Sequence, residues 1–162
     1  MSVRIDPIQK LEHDHVHLDR IVASLRDSMA ECLRGERETA ELLDDLEAFV
    51  SVVQDDIFEH FEREETLLFP YLREHFPDTS KVVDSLEQSH DRICGVATRI
   101  ERLITGGGDD VEANFDAIVA LFARFDANYQ KHSREEHGLL KDLAARVDNA
   151  HRARLYALVG RL

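Results

Sequence analysis

Apolar residues recur in steps of four and three along nearly the whole 162-residue chain, the spacing of one helix face rather than of alternating strands. Four long segments keep that phase. The first opens on Asp6 as N-cap, with Pro7 at the first helical position and Gln9 three after the cap, and carries Leu11, His15, Leu18, Val22, Leu25 and Met29. It runs to about Leu33, where Gly35 stops it. The second starts near Arg37 or Glu38 and carries Leu46, Val50, Val53, Ile57, His60, Glu64, Leu67 and Tyr71, with Pro70 disturbing its last turns and Pro77-Asp78 ending it. The third, capped between Asp78 and Ser80, carries Val83, Leu86, His90, Ile93, Ala97, Ile100 and Ile104, and stops at Gly106-Gly107-Gly108. The fourth, capped by Asp109 and Asp110, carries Ile118, Phe122, Phe125, Tyr129, His132, Glu136, Leu139 and Leu143. This predicts an all-α fold: an up-down four-helix bundle with core about 7–146 and a short C-terminal helix over 149–161, as one domain spanning 1–162. Seven Gly and three Pro are too few turn-formers for a many-stranded sandwich or barrel.

Charge and targeting narrow the partners. Thirty-three acids against 20 bases give a net charge of −13, which disfavours nucleic acid and anionic membrane surfaces. No run approaches the ~20 apolar residues of a membrane span, and Met1 to Pro7 lacks the apolar stretch of a signal peptide. The expectation is a cytoplasmic chain whose Cys32 and Cys94 are reduced. The oligomeric state is left open.

Nine histidines in so acidic a chain are the feature that speaks to chemistry. Each half carries the same signs in the same order. Leu11-Glu12-x-x-His15 reappears as Leu86-Glu87-x-x-His90, and His60-x-x-x-Glu64-x-x-Leu67-Leu68 as His132-x-x-x-Glu136-x-x-Leu139-Leu140. His15 precedes His60 by 45 residues and His90 precedes His132 by 42, a repeat that suggests a pseudo-twofold bundle.

Residues four apart share a helix face, so His60 with Glu64, and His132 with Glu136, point into the seam together. His15 and His90 replace apolar seam positions on the other two helices. A lone seam histidine is ordinarily a hydrogen-bonded core residue, and a lone His-x-x-x-Glu a surface pair. Six such residues, each in phase with its own seam and duplicated in order, are not explained in that way. Unneutralised carboxylates there would cost several kcal/mol, and no Lys or Arg occupies a seam. Imidazole with carboxylate suits iron, manganese or zinc; two carboxylates able to bridge favour a pair of ions, and the absence of thiolate argues against structural zinc.

These residues resemble the hemerythrin-like, or HHE cation-binding, family from about Leu11 to Leu143, most characteristically in the stretch from His60 to Pro70. The resemblance implies a non-haem di-iron centre in a four-helix bundle, with His15, His60, His90 and His132 as terminal ligands and Glu64 and Glu136 as bridges. It implies a small diatomic ligand or peroxide as partner: O2, NO or peroxide, for sensing, storage or detoxification. The alternatives are a di-iron enzyme of catalase-like or nitric-oxide-directed activity, and an iron-donating module for iron-sulfur repair. Two departures from the oxygen carriers stand out. Cys94 occupies the place of their second histidine on the third helix, and His137 that of their aspartate on the fourth. The pattern is closer to relatives with four His and two Glu, which leaves the irons about two positions for water or small ligands.

Around this set, Glu12, Asp56, Glu87 and Asn128 precede the four histidines by three or four residues and are candidates to accept their second ring N–H. Tyr129 is a candidate to hydrogen-bond a ligand, with packing the plainer reading, and Cys94 a candidate soft ligand, with a small buried hydrophobe the plainer reading. His137 is a possible extra ligand. Glu65 and Glu135, about 100° off the seam, are assigned to the surface, as are His13, His17, His75 and His151. Phe58, Phe61, Phe122 and Phe125 are expected to line the core and keep solvent from the centre.

Overall fold

A computed structural model describes residues 16–159. The expected N-terminal cap at Asp6 to Gln9, together with Leu11, Glu12, His13 and His15, lies outside the described residues. All regular structure among the described residues is helical. Helix α1 is Val16–Leu33 and buries Leu18, Val22, Leu25 and Met29, four of the expected seam positions. It ends where Gly35 adopts φ +73°. There the Gly35 N–H donates to the Cys32 carbonyl (3.0 Å) and the Glu36 N–H to that of Glu31 (2.9 Å), the two bonds of a Schellman cap.

After a 3-10 turn, Thr39–Leu42, a long helix α2 runs over 43–75. It is not uniform. Two π-helical turns, Val53–Ile57 and Glu64–Leu68, interrupt it, closed by five-residue bonds from the Phe58 N–H to the Val53 carbonyl and from the Phe69 N–H to the Glu64 carbonyl. Pro70 explains the second: it has no N–H to offer Thr66, and its ring crowds that carbonyl, so the chain takes a wider turn. A π turn adds a residue, and the buried row slips accordingly. Leu68, Phe69 and Leu72 are buried, whereas the expected Leu67 and Tyr71 are only partly so.

A second 3-10 turn, Pro77–Thr79, leads into α3, Ser80–Ile104, which buries every seam residue expected of it. Gly107 (φ +88°) turns the chain into a short helix α4, Gly108–Ala113. The single fourth helix expected from Asp109 is therefore divided: Asn114 separates α4 from α5, Phe115–Arg146. The Asn114 amide donates to the Leu103 carbonyl (3.0 Å), satisfying an end group of α3 at the cost of a straight helix. Beyond the bend, all eight expected apolar and ligand positions of α5 are buried. Helix α6, Asn149–Val159, closes the described chain and packs on the Glu64–Leu68 turn. His75 and His151, expected on the surface, are half-buried at this junction among Tyr71 and Phe76, with the Tyr71 hydroxyl hydrogen-bonded to His151 Nδ1. His17 is exposed as expected.

The long helices form an all-helical bundle, α3 against α5, α1 against α2 and α2 against α3. Ion pairs tie neighbouring helices: Arg26 of α1 grips Asp126 of α5 through two bonds (2.9 and 2.8 Å), and Arg73 of α2 reaches Glu87 and Asp84 of α3. Such exposed pairs contribute about 1 kcal/mol or less each. The stabilising interior is apolar and falls into two clusters, one from Leu18 through Phe49, Ile100 and Phe125, the other from Leu68 through Leu86, Leu140 and Leu155. Cys32 and Cys94 are free thiols. No described helix is long and apolar enough to cross a membrane.

Candidate metal centre

The two apolar clusters are separate because a polar layer divides them. His60 and Glu64 from α2, His90 from α3, and His132 and Glu136 from α5 are all buried, with Glu64 only 1% exposed and His132 0%. Glu64 stands at the middle. One of its oxygens lies 3.0 Å from His60 Nε2, the other 3.2 Å from His90 Nε2. His132 Nε2 is 3.4 Å from Glu136 Oε2.

The outward ring nitrogens of two histidines are engaged, and this orients the inward ones. His90 Nδ1 is 2.7 Å from Glu65 Oε1; a carboxylate only accepts, so Nδ1 carries the proton and Nε2 offers its lone pair to the interior. His132 Nδ1 is 2.8 Å from Ser89 Oγ, and that hydroxyl donates its one proton to the Leu86 carbonyl (2.7 Å). His132 therefore donates from Nδ1, and its Nε2 is likewise a lone pair. The His90 ring stacks on Phe61 (3.7 Å between centroids, 9°) and lies nearly parallel to Phe69 (5.7 Å, 17°), which fixes its plane and excludes water.

Such an arrangement is costly when no cation is present. Burial, reinforced by the charge of Glu136, pushes the Glu64 carboxyl up to about 7. Burial likewise lowers the His90 imidazole despite the opposing pull of Glu65, keeping it neutral. Both Glu64 oxygens and His90 Nε2 are buried without a hydrogen-bond partner, and neither ion-pair partner of Glu64 is a lysine or arginine. Two groups of donor atoms gather within 4.8 Å: Glu64 with His90 and His132, and Glu64 with His60 and Glu136. Glu64 belongs to both. Neutral imidazoles with hard carboxylate oxygens, aimed inward from a dry layer, are a donor set that fits a divalent or trivalent transition metal.

The remaining expected residues are placed differently. His15 and Glu12 lie outside the described residues. Asp56 is exposed, Glu87 is engaged by Arg73, and half-buried Asn128 lines a groove on the α3–α5 surface, so none holds the place expected for it beside a histidine. Glu65 and Ser89 do so instead. Glu65 is exposed, as its phase along the helix predicts, and reaches His90 from the rim of the layer, within the π turn. Ser89 carries no signal beyond being small, next to His90 and three residues after Leu86. The Tyr129 hydroxyl donates to Asp19 of α1 (2.8 Å), and burial raises its phenol far above the ordinary value. Burial pushes the half-buried Cys94 thiol up to about 12, and it packs against the first apolar cluster outside both donor groups. His137 is exposed and also outside them. All four phenylalanines line the core as expected: Phe61 stacks on His90 at the centre, Phe122 and Phe125 pack edge-on to Phe49 at 5.7 and 4.7 Å within the first cluster, and Phe58 is partly buried beside it.

Comparison with protein families matches residues 6–144 to the hemerythrin HHE cation-binding domain. The chain belongs to the hemerythrin family. The match spans α1 to most of α5 and with them the whole buried layer, so the hemerythrin assignment and the geometry converge on the same residues. Hemerythrin domains bind metal cations, and this one presents buried His and Glu groups of suitable chemistry for that purpose. Neither the curated proteins nor the solved structures contain a significant match to the chain.

Proposed function

We propose that this hemerythrin domain is a cytoplasmic non-haem di-iron protein that binds O2, NO or peroxide, its four long segments running up and down around the centre. The supporting observation is that Glu64 stands in both donor groups, one with His90 and His132 and the other with His60 and Glu136, which is what a carboxylate shared by two ions requires. In this reading His60, His90, His132, Glu64 and Glu136 would hold the irons, the two carboxylates shared between them, and His15, which lies outside the described residues, would supply the fourth imidazole. Bound iron would supply redox chemistry toward small oxygen or nitrogen ligands. The protein's own contribution is orientation and exclusion. Glu65 and Ser89 hold the His90 and His132 lone pairs inward, and Phe61 and Phe69 keep the imidazole dry. Tyr129, whose hydroxyl is given to Asp19, ties α5 to α1.

Optical titration of the iron-loaded protein with azide and with peroxide tests the proposal. Saturable charge-transfer bands are expected, and they should be lost in Glu64→Ala. Absence of any ligand-dependent band in a protein that retains two irons would overturn ligand binding. Steady O2 evolution from peroxide would make the protein an enzyme of catalase-like activity.

A further inference from the structure

A second feature lies outside the buried layer, on the surface between α3 and α5. A groove of about 470 Å³ opens there, within the size range of small-molecule sites. Three arginines line it: Arg92 and Arg99, seven residues apart on one face of α3, and Arg124 on α5. Its floor is small, since a side chain added at Gly95 would meet nothing within 4 Å, and Ala127 faces it from α5. Asp91 is the one acid in the lining.

The charge pattern gives the groove its meaning. Acids outnumber bases by 33 to 20 in this chain, and Arg26, Arg34, Arg37, Arg63, Arg73 and Arg146 each pair with one or two of them. Among the described residues Arg92, Arg99 and Arg124 have no ion-pair partner, as is also true of Arg20, Arg102, Arg134 and Arg154, but these three are exposed around one groove. Three like charges held around one concavity repel one another, and a bound anion relieves that repulsion. Guanidinium groups present a planar fork that matches phosphate oxygens two at a time, and their weak hydration makes the exchange of water for phosphate favourable. A concave groove with a floor of small residues suits a compact ligand better than a flat protein surface.

We propose that this groove is a binding site for a small diphosphate-bearing ligand, held by Arg92, Arg99 and Arg124. The site is separate from the metal centre but shares its helices: Arg92 follows His90 by two residues, and Arg124 precedes His132 by eight. An anion drawing α3 and α5 together would bear on the two helices that present these imidazoles.

Calorimetric titration of the protein as purified with inorganic pyrophosphate, and separately with ADP, tests this. Both ligands are expected to bind saturably, more weakly as ionic strength rises, while adenosine does not bind. The double variant R99Q/R124Q removes two charge-assisted contacts and is expected to weaken binding of both at least about tenfold. R20Q/R102Q, at exposed positions outside the groove, is expected to leave it unchanged. Circular dichroism and the metal content of each variant establish that the fold and the centre are intact. The proposal is overturned by absence of saturable binding, by equal binding to R99Q/R124Q, or by binding that survives in R99Q/R124Q and disappears in Glu64→Ala, which would place the anion at the metal centre.

Discussion

Replacing Glu64 by glutamine separates the stability of the bundle from the function of its polar layer. The folded carboxyl titrates at about 7 against an ordinary 4.5, because it is buried beside Glu136. A carboxyl raised in the folded state favours its neutral form there, so its contribution is fully present below pH 4.5 and is lost as pH rises through about 7. The difference amounts to about 3 kcal/mol at pH 8. Glutamine has nearly the same shape and no charge. Chelator-treated Glu64→Gln should therefore be more stable than chelator-treated wild type at pH 8 by about 3 kcal/mol, or about 6–12 °C in Tm for a domain of this size. At pH 4.5 the two should converge. With metal the order reverses, since the cation offsets the charge in wild type and glutamine removes a shared ligand. Thermal denaturation followed by circular dichroism at the two pH values, with and without iron, reads all four states. A metal-free variant no more stable than wild type at pH 8 would refute the claim that this carboxylate is held at a cost which a cation relieves.

The orienting contacts give a further prediction: Glu65→Ala and Ser89→Ala should each retain the fold while lowering metal affinity roughly 10- to 100-fold, measured by competition with a chromophoric chelator. The slipped register of α2 predicts that Leu68→Ala destabilises by about 2–5 kcal/mol in urea denaturation, with Leu67→Ala costing clearly less; equal costs would place the π turn elsewhere. Cys94→Ala and His137→Gln should leave metal content and the azide spectrum unchanged, because neither side chain joins the donor groups. A loss of one ion in either would restore it to the ligand set.

The places where the sequence was legible share a physical cause. On α3 and α5 the helix is regular, so a seam read at 3.6 residues per turn, including His90, His132 and Glu136, coincides with the buried row. Gly35 likewise announced its cap, since only a residue tolerant of positive φ completes the Schellman bonds. Legibility failed where backbone geometry departed from that period. Pro70 signals disturbance, but not that the chain answers with a π turn that slips Leu67 to Leu68. Asn114 reads as an ordinary helix residue until its amide is seen to cap Leu103 of the preceding helix, a contact between residues eleven apart. The orienting partners were hardest of all. Glu87 and Asn128 stand at plausible spacing along their own helices, yet the carboxylate that reaches His90 comes from α2, and the hydroxyl that reaches His132 comes from α3. Partners supplied across helices leave no trace in the spacing along one.

The central claim is that the polar layer holds a pair of ions, and the most direct test is metal analysis by inductively coupled plasma mass spectrometry against protein concentration, after anaerobic iron loading and removal of loosely bound metal. Wild type is expected to retain two irons per chain, while Glu64→Ala and Glu136→Ala fall towards one or none. A wild-type chain that retains no metal, or variants that keep both ions, would contradict it.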